Sequence, residues 1–146
     1  MKTKYFTILI AEDDEEDRML TEDAIEETDL RCQLQFVEDG EQAMEYLLNK
    51  GSFENKTKYP APRLILLDLN MPKKDGREVL AEIRQHDALR AIPVIALTTS
   101  NSPEDISLMY ELGVNSYITK PVSFAGMIKA MNGLKQFWFE IVSLPK

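Results

Sequence analysis

Cysteine is nearly missing from this chain. Cys32 is the only one, which excludes an internal disulfide and any multi-cysteine metal site. It reads as a small, partly buried side chain near a strand rather than a reactive thiol. Histidine is as scarce. His86 stands alone and reads as a surface residue, so neither a histidine-based triad nor a zinc site is available. No glycine-rich phosphate loop occurs, which excludes a nucleotide-driven kinase. Long apolar runs are missing too, and none approaches the roughly 20 residues of a membrane span. The start, Met1-Lys2-Thr3-Lys4-Tyr5-Phe6, lacks the apolar core and small-residue cleavage site of a signal peptide. The expectation is a cytoplasmic protein that does not engage a membrane. Positive charge is in deficit: 17 Lys and Arg against 25 Asp and Glu give a net charge of −8. Nucleic acid demands a positive surface, so it is excluded as a direct partner.

What is present is the composition of a folded domain, with 44% hydrophobic and 29% charged residues over a length of 146. That length suits one domain and leaves no room for a second. The expected core runs from about residue 5 to 135, with 136–146 as a C-terminal extension. Apolar runs alternate with helical segments. Ile8-Leu9-Ile10-Ala11 reads as a buried strand, followed by an acidic helix from about Asp14 to Thr28. Leu34 to Val37 is a second strand, after which Asp39-Gly40-Glu41-Gln42 reads as a capping box. Leu64-Ile65-Leu66-Leu67 is apolar on both faces, as a central parallel strand must be. A helix from about Arg77 to Gln85 turns Val79, Leu80 and Ile83 inward, and Ile92 to Leu97 is the fourth strand. Ser102-Pro103-Glu104-Asp105 starts a helix that Gly113 stops. Tyr117-Ile118-Thr119 is the fifth strand, and the last helix begins near Ser123. Alternating strands and helices imply parallel pairing with right-handed crossovers. Five such units fit a flavodoxin-like (βα)5 fold of strand order 2-1-3-4-5, helices on both faces, whose functional crevice lies beyond the carboxyl ends of the strands.

Those strand ends carry Glu12-Asp13-Asp14, Asp68, Thr98-Thr99-Ser100 and Lys120-Pro121. Acids this close repel one another, and a hard divalent cation relieves the repulsion. Magnesium (or manganese) suits a site of few carboxylates and oxygen ligands only. Asp68 is then a candidate nucleophile that takes a phosphoryl group as an acyl phosphate. The ion would bridge Asp13, Asp68 and a phosphoryl oxygen. The Lys120 ammonium would neutralise a second oxygen, and the Thr98 hydroxyl could swing inward to a third. Asp14 reads as a helix cap, and Glu15, Glu16 and Asp17 as a solvated helix start.

These segments resemble the receiver domain of two-component response regulators over nearly the whole chain. Ile8 to Asp14 is similar to the family's first strand and acidic pair, and Leu64 to Gly76 to its phosphorylation loop. Pro93 to Thr98 resembles the strand bearing the switch threonine, and Tyr117 to Pro121 the last strand with its lysine. The resemblance implies Asp68 as phosphoacceptor, Asp13 as direct metal ligand and Glu12 as a second acid acting through water. It further implies a backbone-carbonyl ligand from Asn70, a switch hydroxyl on Thr98, a phosphoryl clamp in Lys120 and an aromatic rotamer switch in Tyr117. It also implies a cis peptide bond before Pro121. Glu12 departs from the commoner aspartate. The Lys50–Pro62 segment, the run from Lys73 to Ile83 and the tail from Gly133 to Trp138 look like the single-domain regulators paired with bacterial and cyanobacterial phytochromes. The implied phosphodonor is a phytochrome-type histidine kinase, and the implied protein is an acceptor rather than a turnover enzyme, with no output domain.

Two rival readings are weaker. A phosphatase of the haloacid dehalogenase class wants an aspartate two residues beyond its nucleophile, where this chain has Asn70. A receiver-like interaction module that is never phosphorylated would not need Asp13, Asp68, Thr98 and Lys120 together. The tail leaves one expectation open. Phe137, Trp138 and Phe139 are consecutive, and neighbours on an α-helix point about 100° apart. Either the helix ends early and a loop folds back over the rings, or the last helix and these aromatics build a homodimer. The second is preferred.

Overall fold

Every side chain of Leu64–Leu67 (β3) is buried, because this strand lies mid-sheet with helices on both faces. A computed structural model describes residues 6–141. Its strands Phe6–Ala11 (β1), Cys32–Val37 (β2), β3, Val94–Thr98 (β4) and Ser116–Thr119 (β5) form one sheet of order β2-β1-β3-β4-β5. Every pairing is parallel, as the alternation of strands and helices requires. Helices Glu15–Glu26 (α1) and Phe124–Lys135 (α5) accompany one face of the sheet. Gly40–Leu47 (α2), Gly76–Gln85 (α3) and Pro103–Glu111 (α4) accompany the other.

The strands' alternating side chains divide the core in two. Leu9, Ile65, Leu67 and Ala96 pack against Tyr46, Val79, Leu80, Ile83 and Met109. Ile8, Ile10, Leu66 and Ile95 pack against Ala24, Ile25, Met127 and Met131. The Lys50–Pro62 segment is held onto the first core. Tyr46, Phe53 and Tyr59 form an aromatic cluster with ring centroids 5.0–5.8 Å apart. The Tyr46 hydroxyl donates to the Pro60 carbonyl at 2.8 Å, and Asn49 Nδ2 donates to the carbonyls of Phe53 and Tyr59, each at 3.0 Å.

Several local expectations hold, and several are corrected. Asp14 and Ser102 cap α1 and α4 through the backbone N–H groups of Asp17 and Asp105, and Gly113 takes a positive φ of 102°. Asp39 caps α2, accepting from Gln42 N at 2.7 Å. The reciprocal bond of a capping box is displaced, since Gln42 Oε1 accepts from Glu38 rather than from Asp39. The complete capping box lies at Asp75 and Glu78. β4 begins at Val94 rather than Ile92, because Pro93 has no N–H to join a ladder. At the other end Thr98 still pairs with Thr119, so it is the strand's last residue and not the first beyond it. The described residues contain no cis peptide bond, so the bond before Pro121 is trans. Trans is the intrinsic preference even before proline, and the backbone here stays in register, with Lys120 N donating to Thr98 O at 2.7 Å.

The tail does not end in a folded-back loop. α5 runs on into a π-helical turn, Gln136–Ile141, whose i→i+5 spacing turns successive side chains through less than the α-helical angle. Trp138 and Phe139 both reach the second core, and Phe139 stacks on Phe6 with centroids 4.6 Å apart. Phe137 stays 49% exposed.

Candidate functional site

The carboxyl ends of β1 and β3 are held together because the backbone ladder continues one residue past each of the two. Asp68 N donates to Ala11 O at 3.1 Å and Glu12 N to Val37 O at 3.0 Å. Asp68 and Glu12 are buried, at 7% and 3% exposure, while Asp13 is exposed. Each of the three offers a carboxylate oxygen, and these oxygens all lie within 4.8 Å of one another. Three carboxylates at this distance, two of them largely cut off from water, fit a hard divalent cation bound through oxygen.

Lys120 is the counter-charge. Its ammonium donates to Asp17 Oδ2 at 2.8 Å, to Asp68 Oδ2 at 3.2 Å and, closely, to Glu12 Oε1. Burial pushes the Glu12 carboxyl up to about 7, against the pull of the Lys120 hydrogen bond and with help from the Asp68 charge. Burial works against the Lys120 charge as well, but the Asp17 and Glu12 carboxylates outweigh it and hold the ammonium above its ordinary value. Asp17 is thus more than part of a solvated helix start: it lies in the first turn of α1, partly exposed but bonded to the buried Lys120.

The loop after Asp68 is shaped for close approach. Asn70 N donates to Asp68 Oδ1 at 3.3 Å, which places Asn70 beside the carboxylates on an exposed loop. Gly76 N donates to Leu69 O at 2.8 Å. A Cβ at Gly76 would stand 2.3 Å from the Asp68 carbonyl, so only glycine lets the loop close over the strand end.

Thr98 lies at the far side, fully buried, and its Oγ1 has no hydrogen-bond partner. Such an orphan is costly and marks a group awaiting one. Beyond it the β4–α4 loop is tied down at several points. The Tyr117 hydroxyl donates to the Ser100 carbonyl at 2.8 Å. Ser100 Oγ and Arg77 Nη2 each donate to Asp105, both at 2.6 Å. Those two bonds, the Ser100 one foremost, hold the Asp105 carboxyl below its usual range. Ser100 is expected at this edge from its place at the end of the fourth strand, but the Arg77–Asp105 pair is not legible in the sequence, because nothing local signals a link between the start of α3 and the start of α4. Pro121 packs near Gly126 at the entry to α5. Cys32 stays apart from the site, its thiol pushed up to about 11 by burial, and His86 caps the exposed end of α3.

Comparisons with known proteins agree with this geometry. Residues 8–132 match the response regulator receiver domain. The chain is 45% identical over 138 residues to the response regulator Rcp1 of Synechocystis sp., covering 94% of this chain and 92% of that protein. Among solved structures, the phosphorylated cyanobacterial phytochrome response regulator RcpA superposes with a TM-score of 0.90 at 40% identity, over 98% of this chain and 100% of that one. The Mn2+-bound form of Rcp1 gives 0.87 at 44% identity, over 97% and 99%. With the sheet order, the acidic trio at its switch point and the matched lysine strand all in one chain, the protein belongs to the response regulator receiver family.

Proposed function

We propose that this receiver is a phosphorylation switch that accepts a phosphoryl group on Asp68 from a sensor histidine kinase of the phytochrome type, in the cytoplasm. The observation that carries the reading is the trio Glu12, Asp13 and Asp68 with the Lys120 ammonium 3.2 Å from Asp68 Oδ2. An Asp68 oxygen forms the new O–P bond as the donor's bond to phosphorus breaks, and the leaving group departs opposite. Mg2+ (or Mn2+) held by Glu12, Asp13, Asp68 and the Asn70 carbonyl would neutralise charge on the transferring group. Lys120 meets another of its oxygens, and the orphaned Thr98 hydroxyl supplies a donor from the far side. The product is a charged acyl phosphate, so the chain acts as an acceptor with self-limited hydrolysis and not as a turnover enzyme. The Mn2+-bound state of Rcp1 and the phosphorylated state of RcpA support both halves of the reading.

The chain is incubated with Mg2+ and acetyl phosphate and weighed by intact mass spectrometry. The native protein is expected to gain one phosphoryl group, and Asp68→Asn none. A gain that survives Asp68→Asn, or no gain on the native chain, removes this function. A homodimer is part of the proposal. β5 is the sheet's edge strand, and Phe137 stands half exposed at the rim of a groove lined by Ile118, Leu134 and Trp138. A second copy of the chain covers that face.

A further inference from the structure

Lys120 reaches three carboxylates, and an ammonium has three donors to give. Two of the three acceptors change character in the reaction proposed above. Glu12 and Asp68 both belong to the trio that would hold the ion, and Asp68 becomes the acyl phosphate besides. Asp17 does neither. Its carboxylate lies outside that trio, and its main chain is pinned at both ends: its N–H donates to the Asp14 cap at 3.0 Å, and its carbonyl accepts from Thr21 Oγ1 at 2.9 Å. The Lys120 side chain is only 6% exposed, against 36% for Asp17, so loss of Asp17 leaves a largely buried charge short of a partner, which is expensive.

We propose that Asp17 is the positioning residue for Lys120. It would keep the ammonium in place while Glu12 and Asp68 are engaged in holding an ion, and after the bare Asp68 carboxylate is lost to phosphorylation. α1 is thereby part of the phosphoryl site and not merely its neighbour. The inference rests on the phosphoacceptor reading. It makes a distinctive demand: loss of Asp17 must matter most when the metal is present, because Glu12 and Asp68 still hold Lys120 in its absence.

Native, Asp17→Asn, Asp17→Ser and Asp17→Glu chains are compared with and without Mg2+. One readout is the side-chain ammonium cross-peak of Lys120 in 1H–15N NMR, and the other is the rate of modification by acetyl phosphate. The native cross-peak is expected in both conditions. In Asp17→Asn and Asp17→Ser it should persist without Mg2+ and vanish with it, and the acetyl phosphate rate should fall by about ten- to a hundredfold, the larger figure being the scale for a group misplaced by about 1 Å. Asp17→Glu should restore most of both. A cross-peak that survives Mg2+ in the Asn and Ser chains, one that is lost already without Mg2+, or a rate equal to or above native overturns the proposal. If the native chain takes no phosphoryl group, the acceptor reading fails by itself, and the Mg2+-dependent cross-peak still decides the role of Asp17.

Discussion

The unpartnered hydroxyl of Thr98 separates stability from switching. A buried hydroxyl without a partner costs about 1–3 kcal/mol, and Thr98 Oγ1 is such a group. Thr98→Val keeps the branched shape and removes the orphan. In the absence of phosphodonor, the variant should be more stable by about 1 kcal/mol, read as a higher urea midpoint. It should also lose the extra stabilisation that acetyl phosphate and Mg2+ confer on the native chain. A Val variant less stable than native, or one that responds to phosphodonor as native does, shows that the hydroxyl is not waiting for the phosphoryl group. Glu12 supplies the pH dependence. Its folded value of about 7 lies above the ordinary 4.5, so between those values the folded, metal-free protein binds more protons than the unfolded chain. Stability from this group therefore falls as pH rises from about 4.5 to about 7, and the cost stays in full above that. At 1.36 kcal/mol per pKa unit the cost is on the order of 3 kcal/mol. Mg2+ favours the ionised carboxylate and should abolish the slope while releasing a proton. Urea midpoints at pH 5 and 7.5, read on Trp138 in EDTA and in Mg2+, check this against Glu12→Gln. The Gln chain subtracts the other titrating groups, and a native slope no steeper than that of the Gln chain sinks the assignment.

At the scale of elements, the sequence speaks most clearly where one physical rule acts alone. The all-apolar Leu64–Leu67 names a central parallel strand because both of its faces must be covered. Parallel pairing then leaves only helical crossovers, and the strand ends that gather Asp13, Asp68, Thr98 and Lys120 follow. Legibility drops where two rules compete. Ile92 looks like strand by hydrophobicity, but Pro93 cannot donate to the ladder, and β4 starts at Val94. Glu15, Glu16 and Asp17 look alike as first-turn acids, yet only Asp17 meets Lys120, a partner that α1 acquires through the fifth strand and no local pattern reports. The Arg77–Asp105 pair likewise joins two helix starts 28 residues apart. Its partners are neighbours only because α3 and α4 lie side by side on one face. The trans bond before Pro121 is a point where family resemblance spoke and the chain's own backbone differs.

At the scale of the whole molecule, the aromatic tail splits between two rings that face the chain's own core and one left half exposed. Phe139 stacks on Phe6, and Trp138 packs with the second core, so these rings are committed inward. Phe137 meets Trp138 edge-on at 5.4 Å but remains 49% exposed. The expectation of a homodimer through the last helix and the C-terminal aromatics is thereby narrowed, among those rings, to Phe137. Phe139→Ala removes a stacked ring pair and should lower the stability of the monomer by about 1 kcal/mol or more, without first changing its association. Phe137→Ala removes a ring the isolated fold only half buries, and should lower the stability of dilute protein by about 1 kcal/mol or less. In sedimentation velocity over a concentration series, the native chain should pass from monomer to dimer, and Phe137→Ala should stay monomeric at concentrations where native is paired. The series is run with and without acetyl phosphate and Mg2+, because β5 carries both the Tyr117 contact to the β4–α4 loop and Ile118 in the groove. A native chain that stays monomeric in every condition, or a Phe137→Ala chain that pairs as well as native, removes the second copy from this face.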